Sequence, residues 1–138
     1  KYSASETKYA KAIQKATNKP QVGMDGEIYP MRETLPAQGG STDVGDVSFA
    51  VPTVGLRAAT WVPGTSAHSW QAVAAGGTSI GIKGMMIAAK TLALTGMQLI
   101  DDPEAISLAK KEFLNQRGLD FKYVPLLGNR EPALDYRN

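Results

Sequence analysis

Val47-Ser-Phe-Ala-Val51-Pro52-Thr-Val54-Gly-Leu-Arg-Ala-Ala-Thr-Trp61-Val62 is the stretch on which the fold class turns. Val47, Phe49 and Val51 alternate with small or polar residues, the period of a half-buried strand. Pro52 interrupts the run, Val54 to Val62 reads as a second strand, and Pro63-Gly64-Thr65 stops it. Two strands make a poor sheet by themselves. The expected fold is therefore α/β: helix-rich, with about two strands that complete a larger sheet supplied by other polypeptide.

The flanks on both sides read as helix. Downstream, Thr78 or Ser79 starts a helix to about Leu99, apolar on nearly every side through Ile80, Ile82, Met85, Met86, Ile87, Leu92, Leu94 and Met97. Its length approaches a membrane span, but Lys83, Lys90, Gln98 and three glycines favour a buried helix of a soluble protein. Gly81 and Gly84 leave room for a second backbone to approach closely. Asp102-Pro103-Glu104 opens a further helix with Ile106, Ala109 and Phe113 inward, and Gly118 closes it. Upstream, Ser3-Ala-Ser-Glu6 is a capping box. Tyr9, Ala12, Ile13 and Ala16 follow at helical spacing, up to about Asn18 before Pro20. Between them, residues 20–46 are broken by Pro20, Gly23, Gly26, Pro30, Pro36, Gly39, Gly40 and Gly45, and a loop of that length is often functional. The tail beyond Gly118 reads as an irregular arm.

Composition narrows the function classes. A chain of 138 residues, 43% hydrophobic and 20% charged, is globular and treated as a single segment, residues 1–138. The net charge of +2 comes from scattered lysines without aromatics in register, which argues against a nucleic-acid partner. The absence of cysteine excludes a disulfide framework, thiolate metal ligation and a cysteine nucleophile, and fits a reducing, cytoplasmic setting.

Two segments are able to carry chemistry. Gly39-Gly-Ser-Thr-Asp-Val-Gly-Asp46 joins glycines to hydroxyls and a carboxylate. Its backbone N–H groups suit an oxyanion, and Asp43 suits the orientation of a metal-bound histidine. A local turn capped by Ser41 and Asp43 is the plainer alternative. Pro63-Gly-Thr-Ser-Ala-His-Ser-Trp70 is a polar loop after the second expected strand, and it carries His68, the single histidine. His68 is either a structural surface residue or one ligand of a metal whose other ligands lie elsewhere, because zinc needs three or four. Asp43, Asp46 and Glu27 are possible carboxylate partners. A triad of Ser66 or Ser69 with His68 and Asp43 is disfavoured, since no Gly-x-Ser-x-Gly elbow is present.

Taken in order, Gly40-Ser-Thr-Asp43, Val51-Pro52, Trp61-Val62 and His68-Ser-Trp-Gln71 resemble the C-terminal catalytic part of the aminoacylase and carboxypeptidase G type of metallopeptidase, a family of amidohydrolases. The resemblance covers residues 38–115 best. Many relatives have proline where Trp70 stands and Glu-Asp where Thr42-Asp43 stands, differences that fit the aminobenzoyl-glutamate type of member. The resemblance implies a zinc-exopeptidase-like α/β catalytic domain and two zinc (or manganese) ions. It also implies an N-acyl amino acid substrate such as the folate breakdown product p-aminobenzoyl-glutamate, and a homodimer. It makes His68 the last metal ligand and places Gly40, Ser41 and Asp43 along the site. The general base, the other ligands and the lid domain are then expected in polypeptide preceding Lys1, so that no catalytic residue lies in these 138 residues and the chain alone is inactive. No membrane partner is expected. The competing expectation is a non-catalytic interaction or dimerisation module derived from such an enzyme.

Overall fold

Helix α1 (Ala4–Ala16) begins where its capping box lies. Ser3 Oγ accepts from the Glu6 backbone N–H at 3.1 Å, and Glu6 Oε2 accepts from the Ser3 N–H at 2.6 Å. In a computed structural model describing residues 1–31 and 42–135, four further helices follow: α2 (Val44–Ala50), α3 (Trp70–Gly76), α4 (Ser79–Asp101) and α5 (Pro103–Arg117). The described residues group into two compact units, 1–31 with 55–101, and 42–54 with 102–135.

The first unit is built around the inner face of α1. Its buried residues are Glu6, Ala10, Ile13 and Gln14, spaced as one helical stripe. The expected stripe differs: Ala12 and Ala16 are exposed, and two polar residues take the inner positions instead. Both have partners. Gln14 Nε2 donates to the carbonyls of Gly23 (3.0 Å) and Pro63 (3.2 Å), while its Oε1 accepts from the Gly23 N–H at 2.9 Å. One amide thus joins α1 to two irregular segments, and the burial of its polar atoms is compensated. Ala10, Ile13, Val62, Ala75 and Ile80 form the small apolar core, with Tyr2, Tyr9 and Met24 at its edge.

Helix α4 enters this core only by its first turns. Ile80, Gly81 and Gly84 are buried, whereas Ile82, Met85, Met86, Ile87, Leu92, Leu94 and Met97 are exposed. The buried helix expected from its all-round apolarity is therefore a half-docked one. The two glycines do admit neighbouring backbone. A Cβ on Gly81 would lie 2.3 Å from the Gly76 carbonyl oxygen of α3, and one on Gly84 the same distance from that of Ala59.

The second unit holds α2, α5 and part of the tail. Asp102 caps α5 by accepting from the Ala105 N–H, Pro103 occupies its first turn, and Gly118 (φ 89°) ends it. The Phe49 and Phe121 rings stack with centroids 5.4 Å apart. The Arg117 guanidinium lies 4.6 Å from the Phe113 ring and 5.7 Å from that of Phe121, and donates to the Phe49 carbonyl at 3.1 Å.

The α/β expectation is overturned: no strand occurs among the described residues. Residues 47–50, most of the first expected strand, belong to helix α2 (Val44–Ala50). Val44, Val47 and Val51 also satisfy i, i+3, i+7 spacing, so the short run was compatible with either period. Local bonds decide in favour of the turn: the Val51 N–H donates to Val47 O at 3.0 Å, and Ser48 Oγ to Gly45 O at 2.6 Å. Residues 54–60, the heart of the second, carry no ladder. A strand requires an edge to pair with, and none is present among the described residues.

Candidate functional site

The loop leading to His68 is held at its base. Val62 is 2% exposed in the core, the Pro63 carbonyl accepts from Gln14, and the Thr65 N–H turns back to Val62 O at 3.0 Å. Gly64 takes a left-handed backbone (φ 85°) against the stem of Lys19, which turns the chain sharply. His68 is left-handed as well (φ 57°), a conformation for which histidine is enriched among residues with a Cβ.

Beyond His68 stands the short helix α3, which starts at Trp70, the last residue of the expected polar loop. Ser69 is its N-cap: Ser69 Oγ accepts from the Ala72 N–H at 3.3 Å and donates to Ser66 O at 2.7 Å. The left-handed turn at His68 places that residue just outside the cap. It is exposed, in a shallow depression lined by Trp61, His68, Ser69, Trp70, Ala72 and Val73.

That environment limits the chemistry. The Ser69 hydroxyl is committed at both its donor and acceptor sides, so it has no free role as a nucleophile. The lining includes no carboxylate. Among the described residues, no group of three or more His, Asp or Glu side chains is placed to hold a metal ion. His68 offers one nitrogen donor to an outside ion, which fits a single coordination position and falls short of a metal centre.

The other expected site residues stand elsewhere. Asp43 precedes α2 in the second unit and makes no side-chain capping bond. Asp46 is paired with the Tyr123 hydroxyl, a hydrogen bond that raises the phenol's pKa, with desolvation and the carboxylate's charge adding to it. Glu27 belongs to a local turn, its N–H donating to Asp25 Oδ1 at 2.9 Å. The Asp25 carboxyl is held below its ordinary range by the Tyr29 hydroxyl first and that N–H second. Gly40 and Ser41 lie outside the described residues. The indoles of Trp61 and Trp70 were not read as site residues. Their position on either side of a polar histidine loop was the available signal.

No protein-family model and no solved structure matches the chain. A curated protein does: over 107 residues the chain is 35% identical to a subunit of the p-aminobenzoyl-glutamate hydrolase of Escherichia coli (strain K12). The match takes in 78% of this chain and 22% of that protein, so the chain spans about a fifth of the relative's length.

Proposed function

We propose, on the premise of that 35% identity, that this chain is the C-terminal catalytic segment of an amidohydrolase. The reaction is hydrolysis of the amide bond of an N-acyl amino acid. The relative's name supports p-aminobenzoyl-glutamate as substrate, with p-aminobenzoate and glutamate as products. The identity over most of the chain is the observation that carries the reading.

His68 is the residue assigned to the chemistry. Its exposure beyond the Ser69 cap leaves an imidazole nitrogen free to join ligands from polypeptide outside this chain. Such a centre, of two zinc or manganese ions, would lower the pKa of a bound water and polarise the scissile carbonyl. The anchors at Val62, Pro63 and Ser69 support the loop that carries His68. A cytoplasmic setting and a homodimer belong to this reading, and the chain alone is expected to be inactive.

The experiment is made on the full-length protein. His68→Ala is expected to remove one metal equivalent and nearly all turnover of p-aminobenzoyl-glutamate, with metal content read by elemental analysis. Unchanged metal content refutes the ligand role.

A second reading draws on the exposed apolar side of α4, which suits an interaction module without catalysis. The coding sequence upstream of Lys1 separates the two. A His-x-Asp motif followed by a lid domain supports the enzyme, and a start codon at that point supports the module.

A further inference from the structure

Gln14 is 1% exposed in the core of the first unit, yet its side-chain amide reaches out of α1 to irregular chain. Oε1 accepts from the Gly23 N–H at 2.9 Å and Nε2 donates to the Gly23 carbonyl at 3.0 Å. Turned over, the amide would set donor against donor and acceptor against acceptor, so its orientation is fixed. The second Nε2 hydrogen goes to the Pro63 carbonyl at 3.2 Å, 49 residues along the chain. A leucine would fill the same space with no buried amide to satisfy. What the amide adds is a direction for that carbonyl.

The direction matters because of where the carbonyl lies. Val62-Pro-Gly-Thr65 is a β-turn closed by the Thr65 N–H on Val62 O at 3.0 Å, with Gly64 at φ 85°. Proline second and a left-handed glycine third make it type II. In type I the central peptide faces the other way, and the third residue has φ of about −90°. Proline suits both types and glycine adopts either sign of φ, so the residues of the turn permit the flip. Gln14 meets this turn twice. Its side chain holds the Pro63 oxygen, and its backbone carbonyl accepts at 2.8 Å from the N–H of Lys19, the residue whose stem packs against Gly64.

We propose that Gln14 is a positioning residue: it holds the Pro63–Gly64 peptide in its type II orientation and so sets the course of the loop that carries His68. The consequence for metal binding rests on the reading of His68 as a ligand. The far end of the loop is tied down by the Ser69 cap of α3. A flip at Gly64 therefore has to be absorbed within residues 65–68.

The test uses the full-length protein and two substitutions that reach the turn by different routes. Gln14→Leu removes the bond to Pro63, and Gly64→Ala disfavours the left-handed φ that type II requires. Each is expected to weaken metal binding by about tenfold in a competitive chelator titration, the scale of losing an outer support of a ligand. The double variant is expected to bind no more weakly than the worse single one, because both act on one peptide. In Gln14→Leu, hydrogen exchange read by mass spectrometry is expected to quicken at residues 64–70 and to stay unchanged at residues 85–101 of α4. Unchanged exchange at residues 64–70 overturns the proposal whatever the metal does. Where His68→Ala has lost its metal, an unchanged metal affinity in Gln14→Leu makes Gln14 merely structural and overturns it too, as do effects that multiply in the double variant. Retained metal in His68→Ala removes the ligand reading instead, and exchange at residues 64–70 then decides the turn assignment alone.

Discussion

The Glu6 carboxylate is engaged at both oxygens. Oε2 receives the Ser3 N–H and the Lys83 ammonium (2.7 Å), and Oε1 receives the Ser79 hydroxyl at 2.5 Å. The same side chain closes the capping box of α1 and pins the start of α4. These donors, Lys83 first, then Ser79 and the Ser3 backbone, lower its pKa from 4.5 to about 2. A carboxyl group whose pKa is depressed by folding stabilises the fold in its charged form. That contribution is complete above the unfolded value and is lost as pH falls through the folded one. Glu6→Gln is therefore expected to lower the urea midpoint at neutral pH. Its deficit relative to the parent protein should narrow between about pH 4.5 and pH 2. A deficit of constant size across that window would show that the charge is not what matters.

At the scale of elements, α4 docks through two missing side chains. A Cβ at Gly84 would sit 2.3 Å from the Ala59 carbonyl oxygen, a contact that backbone cannot relieve by changing rotamer. Gly84→Ala is expected to cost about 1–3 kcal/mol in urea unfolding. Gly96→Ala, with nothing within 4 Å, is expected to gain up to about 1 kcal/mol from helix propensity. Equal effects of the two substitutions would contradict the close approach. Much of this level was legible in the residues: Ser3 and Glu6, Asp102 with Pro103, Gly118, and the closeness implied by Gly81 and Gly84 are local signals that need no distant partner. The helix at 44–50 was not, because a run of seven residues fits two periods and its outcome depends on whether a pairing edge exists. Nor were the polar inner positions of α1. Glu6 and Gln14 are buried because of donors and acceptors 9 to 77 residues away, which no window along α1 contains. His68 was legible as a loop residue beside an aromatic, whereas the helix that starts at Trp70 was concealed by the small residues that form it.

For the molecule as a whole, the exposed side of α4 has the largest consequence. Ile87 and Leu94, both 59% exposed, lie one above the other two turns apart, in a helix long and apolar enough by composition to cross a membrane. In aqueous solution such a surface favours association. The isolated chain is expected to sediment as a concentration-dependent oligomer, and Ile87→Lys with Leu94→Lys to return it towards a monomer. Sedimentation of the parent chain as a monomer at every concentration would count against this. Because both tryptophans belong to the first unit, indole emission records the melting of residues 1–31 and 55–101 and is silent about the other half. Far-ultraviolet ellipticity sums the helices of both units, five among the described residues. Superimposed denaturation curves from the two signals mean one cooperative transition spanning both units, and a gap between them gives the difference in stability directly.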